Sequence, residues 1–169
     1  MFRRIFVGMS KYLLPITILM FTLAIMISVS SLLIGDYFLV QLSCKFLMVY
    51  YLGLILPYTL HEYFHAKLLE YFKVDIKIEY TVFRFSIIAL TEMSGISEIL
   101  VALVGPVGVF MIGLLLWISN ITFYGINLNF LTYFYLFHLI FLLPVFGDGK
   151  IVLINVLKYF RRISNGNNN

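Results

Sequence analysis

"FLVQLSCKFLMVYYLGLILPYTLHEYFHAKLLEYF", residues 38–72, is an apolar run that turns polar in its second half. At 1.5 Å rise per residue it makes about 50 Å of helix, enough to cross a bilayer and project beyond it. Lys45 lies near its start, and Pro57 stands four residues before His61, where it is able to kink the helix. The polar half holds His61, Glu62 and His65, and so two of the chain's three histidines. Helix positions i and i+4 share a face, so His61 and His65 can offer two ring nitrogens to one metal ion. Glu62, next to His61, can reach a water on that ion. The plain alternative is a helix end that happens to be polar. Depth argues against it: His61 lies about 35 Å along from Phe38, near the far face of a bilayer. Ionisable groups at such depth are costly and usually functional.

The rest of the chain fits a membrane setting. Of 169 residues, 62% are apolar and 12% charged, against about 25% charged in an ordinary soluble domain. One small core cannot hide that much apolar surface, and the bilayer is its natural solvent. A single membrane-embedded domain is expected over residues 1–162, followed by a disordered polar tail over 163–169 that ends "NGNNN". The net charge is +4. Its basic residues stand between and outside the apolar runs, as orientation signals, so no nucleic-acid partner is expected. The one cysteine, Cys44, excludes an internal disulfide and a C-x-x-C metal site.

The expected fold is an all-α membrane protein with about four transmembrane helices and a short β-strand or hairpin between the second and third. The first span is Tyr12 to Gly35, too long for a signal-peptide core, with Pro15 in its first turn. Gly35-Asp36 is a turn, and the quoted run is the second span. Residues 73–88 alternate Val74, Ile76, Ile78 and Tyr80 with Asp75, Lys77 and Glu79, a strand period. A third span covers Ile96 to Ser119 and holds Gly105, Pro106 and Gly108, which either bring helices close or break this one. Asn120 to Asn129 is a polar turn, Phe130 to Phe146 a fourth span, and residues 150–162 a short amphipathic helix. Glu98, in the first turn of the third span, suits the helix dipole.

Charge orients these spans. With a cytoplasmic N-terminus, segments 1–11, 67–95 and 147–169 fall inside and hold Arg3, Arg4, Lys11, Lys67, Lys73, Lys77, Arg84, Lys150, Lys158, Arg161 and Arg162. Only Lys45 falls outside, near a helix end where it can snorkel. The chain is therefore expected to be an integral, multi-pass membrane protein with both termini cytoplasmic.

A catalytic zinc needs a third protein ligand and one open position. Asp148 and His138 are the candidates. Asp148 matches the depth of the histidines, whereas His138 lies about 15 Å higher on its helix. Asp148 is therefore preferred, with Gly147 and Gly149 letting the backbone turn to bring it in. The plain alternative is a "GDG" turn at a helix end.

The order "HEYFH", a strand-like segment, "EILVALVGPVGVF" and "FLLPVFGDGKIVL" resembles the site-2 protease family of intramembrane zinc metalloproteases, over roughly residues 46–160. The resemblance implies one zinc ion held by His61, His65 and Asp148, with Glu62 as the catalytic base. It also implies a membrane protein or peptide as substrate. The chain departs from the family pattern at Phe141, where an asparagine that helps hold substrate is usual, and His138 one turn earlier is a possible substitute. The proline-to-aspartate spacing, Pro144 to Asp148, is one residue shorter than the family's. Gly147, Lys150 and Phe64 also replace the customary leucine, second glycine and small residue. The expected function is a zinc-dependent intramembrane endopeptidase cutting near the cytoplasmic face. A catalytically silent accessory or immunity protein that keeps the metal site is the alternative, and a metal transporter ranks below both, since its polar residues would string across the whole span. Oligomeric state and substrate identity leave no mark in the residues.

Overall fold

The computed structural model describes residues 1–81, 84–91, 93–122 and 129–166. It is largely helical, with four stretches long and apolar enough to cross a membrane: Leu14–Ile34, Tyr37–Tyr71, Gly95–Ile121 and Asn129–Arg161. The expected four-helix architecture is what the chain adopts, with the strands in the expected place.

Helix α1 (Phe2–Tyr12) precedes the first span and is separate from it. The expected first span began at Tyr12. Instead the chain breaks at Leu13, and α2 (Leu14–Ile34) starts with Pro15 in its first turn. Proline has no N–H to continue the ladder from α1. Helix α1 buries Ile5, Gly8 and Met9, leaving Arg3, Arg4 and Lys11 exposed. Helix α2 is peripheral: Ala24 and Ser31 are its buried residues, and its aliphatic side chains point outward. It ends at Gly35, whose φ of 74° is the left-handed conformation glycine tolerates. Asp36 then caps the next helix, its carboxylate accepting from Phe38 N at 2.9 Å.

Helix α3 (Tyr37–Val49) runs into a π-helical turn, Tyr50–Ile55, and on into α4 (Leu56–Tyr71). Pro57 accounts for the irregularity. It offers no N–H to the carbonyl one turn earlier and crowds it, so the preceding turn widens. Buried Gly53 in that turn lets the ring of Phe134 pack close.

Strands β1 (Ile76–Thr81) and β2 (Arg84–Ala89) pair antiparallel, with Ile76 opposite Ala89 and Ile78 opposite Ile87. This is the hairpin that the alternating pattern predicts. Helix α5 (Gly95–Thr122) runs unbroken through Pro106. Of the two readings of its glycines, close packing is the one realised: a Cβ on Gly108 would overlap the ring of Phe64, and one on Gly105 the ring of His65.

The fourth span departs most from expectation. Helix α6 (Asn129–Leu136) tightens into a 3₁₀ segment, Phe137–Leu142, and stops before Pro144. Leu143 is extended (φ −67°, ψ 142°), as a residue before proline prefers. Helix α7 then covers Gly147–Gly166, longer than the amphipathic segment expected over 150–162. It also takes in four residues of the polar tail expected to be disordered over 163–169. Residues 167–169 lie outside the described residues, as do 123–128 of the expected polar turn.

Candidate metal centre

The candidate ligand side chains come from two places. His61 and His65 lie one turn apart on α4, 5% and 7% exposed. Asp148 sits in the first turn of α7. The chain reversal that delivers it is made by residues 143–146, where Phe146 N bonds Leu143 O at 3.0 Å. That corrects the expectation that the glycines make the turn. Neither Gly147 nor Gly149 has positive φ, and a Cβ on Gly147 would meet nothing within 4 Å. Gly149 matters for a different reason. Its Cα rests on the carbonyls of Leu142 and Leu143, where any Cβ would collide. Only glycine lets α7 start this close to the preceding segment.

Three ligand atoms converge. His61 Nε2 lies 3.0 Å from Asp148 Oδ2, His65 Nε2 lies 3.5 Å from the same oxygen, and the two Nε2 atoms are 3.0 Å apart. Ligands at 2.0–2.1 Å around a tetrahedral ion would sit about 3.3 Å from one another. The observed triangle has that size. Tautomer logic strengthens the fit. His65 Nδ1 lies 2.6 Å from the carbonyl of Val101 on α5, and a carbonyl only accepts. Nδ1 therefore carries a proton, and in the neutral ring the lone pair on Nε2 is the one that faces the triangle. His61, His65 and Asp148 form a group that could hold a metal ion.

Glu62 is half-buried and lines the same cavity, of about 670 Å³, as the three ligands. That cavity is walled by Phe85–Ala89 of β2, by Val101 and Ala102 of α5, and by Phe141 and Phe146 near Asp148. His138 does not join the ligand group. Its Nδ1 donates to Phe134 O at 2.9 Å within its own helix, and its ring centre lies 5.9 Å from that of His61. Phe141 packs its ring on His61 at 5.3 Å and on Tyr58 at 5.4 Å. Lys67 is exposed and pairs with Glu70 at 2.7 Å, away from the cavity.

Some contributors escaped the sequence reading. Asn155 is buried on α7 and donates to Glu98 Oε2 at 2.7 Å, tying α7 to the start of α5. The signal was present: Asn155 stands two turns after Asp148, a polar residue amid aliphatic neighbours. Glu98 was read as a dipole partner, and its carboxylate has this second role. Val101 left no signal, because its backbone carbonyl, not its side chain, is what binds.

Fold and site together define a multi-pass helical membrane protein with a His–His–Asp group whose two histidines are buried. Comparison of the chain with protein-family models, with characterised proteins and with solved structures returns no match.

Proposed function

We propose that the protein is a zinc-dependent intramembrane endopeptidase of site-2 protease type. One observation supports this reading above the rest: two imidazoles and a distant carboxylate converge at tetrahedral spacing, with Glu62 in the same cavity. Zinc bound there would supply Lewis acidity toward water and toward the scissile carbonyl. Glu62 takes a proton from the attacking water and returns it to the leaving amine as the C–N bond breaks. Val101 O accepts the Nδ1 proton of His65, which would leave the Nε2 lone pair to hold the metal. A transmembrane helix hides its amides in its own hydrogen bonds, so the substrate must be unwound locally. Strand β2 suits that task, since it borders the cavity and its outer edge can add an extended peptide.

The phase of the hairpin says which groups would do the pairing. Leu90 N bonds Asp75 O at 2.9 Å, so the ladder bonds fall at Ile88 and Ser86 on β2. The N–H and C=O of Phe85, Ile87 and Ala89 then point away from β1. Orientation follows from charge. Helix α1, the hairpin and the first turns of α5 and α7 gather around the polar half of α4, and these elements taken whole, with α4, carry ten of the twelve lysines and arginines. Cytoplasmic termini and cleavage near the cytoplasmic face are the consequence.

Glu62→Gln should keep zinc and lose cleavage of a membrane substrate by about 10²-fold or more. Equal turnover by variant and parent would exclude this mechanism. The alternative, a silent accessory protein that keeps the metal, is favoured by Phe141, an apolar ring where a substrate-holding amide is usual. On that reading Glu62→Gln matches the parent in every assay.

A further inference from the structure

His65 has a partner for the ring nitrogen that faces away from the triangle, and His61 has none. His61 Nδ1 is buried and meets no hydrogen-bond partner among the described residues. A histidine that ligates through Nε2 carries its proton on Nδ1, and such protons are almost always donated to an outer acceptor. The acceptor must therefore be sought nearby.

His138 is 4% exposed, and its Nε2 is the other buried side-chain N or O atom without a partner among the described residues. Its tautomer is readable. Nδ1 donates to the Phe134 carbonyl, which places the proton there and leaves Nε2 an acceptor. So the two orphans are of opposite kind, one donor and one acceptor. They belong to adjacent rings, 5.9 Å between centres, enclosed by Tyr58 and Phe141. Two hydrogen bonds in series reach about 5.6 Å. That reach is comparable with the 5.9 Å between the two ring centres.

We infer that His138 is the positioning residue of His61: its Nε2 accepts the His61 Nδ1 proton, directly or through a single water, and so holds the His61 Nε2 lone pair on the metal. His138 is thus neither a ligand nor a stand-in for the missing asparagine. The inference rests on the metal-centre reading. It assigns the two histidines of the helix pair separate anchors, Val101 O for His65 and His138 for His61.

The test uses the full chain in detergent or nanodiscs, with zinc alone as the probe. Zinc affinity is measured by chelator competition for the parent, His61→Ala, His138→Phe and His138→Gln. His61→Ala should abolish tight binding. His138→Phe fills the same aromatic cage without an acceptor and should weaken zinc about 10–100-fold. His138→Gln offers a carbonyl acceptor and should recover most of that loss. His138→Leu replaces the Phe variant if the larger ring prevents folding. Nitrogen-15 spectra of the imidazoles supply a second readout. The His61 Nδ1 proton should carry a hydrogen-bonded shift in the parent and lose it in the Phe or Leu variant. A parent that binds no zinc overturns the metal-centre reading itself. A zinc-binding parent matched in affinity and spectrum by His138→Phe overturns only the role of His138.

Discussion

At Gly105 an added methyl would run into the imidazole of His65, and at Gly149 into the carbonyls of Leu142 and Leu143. These collisions involve a buried imidazole and fixed backbone, so neither is relieved by a side chain swinging away. Gly105→Ala and Gly149→Ala should each destabilise by about 1–3 kcal/mol, as overpacking does, and should lower zinc affinity. Gly147→Ala, with open space around it, should stay within about 0.5 kcal/mol of the parent. Thermal unfolding in detergent with zinc titration checks all three. The convergence of the three candidate ligands was legible in the sequence, because His61 and His65 obey helix spacing and Asp148 matches them in depth. The work of the glycines was not. Periodicity reports which face a residue occupies, whereas a close approach depends on what lies opposite.

The hairpin is the element whose role is most exposed to test. Ile87 turns its N–H away from β1, and Ser86 turns its own toward it. Ile87→Pro removes an outer-edge donor and leaves the ladder bonds in place, so cleavage should fall at least several-fold while zinc affinity holds. Ser86→Pro breaks a ladder bond and should disturb the hairpin itself. A cleavage assay beside zinc binding separates the two. Equal cleavage by Ile87→Pro and parent would rule out strand addition at β2. The hairpin was legible because a period of two is unlike anything in the flanking spans. Helix α1 was missed although Phe2, Ile5, Phe6 and Met9 follow a helical period. Read as an orientation signal, the basic residues hid that period. The end of the fourth span was missed for a related reason. "FLLPVFGDGK" contains both a proline and two glycines, and the glycines drew the turn to themselves. Pro144 and the extended Leu143 stop the 3₁₀ segment earlier, and Asp148 enters as part of a helix.

For the whole molecule, the arrangement joins charge to chemistry. The elements around the polar half of α4 are those that bear the basic residues, and the opposite end holds the α2–α3 turn at Gly35-Asp36. A C-terminal fluorescent-protein fusion should therefore glow and an alkaline phosphatase fusion stay silent, each reporting a cytoplasmic end. The reverse pattern would invert the proposed topology and move the cleavage face. Everything functional in this account depends on one ion being held by three side chains from two separate elements. Zinc-edge X-ray absorption on the full-length protein reads that directly. Bound zinc is expected with two imidazole nitrogens and a carboxylate oxygen at about 2.0–2.2 Å, the oxygen lost in Asp148→Ala. Protein that takes up no zinc, or holds it with no imidazole in its shell, would contradict it.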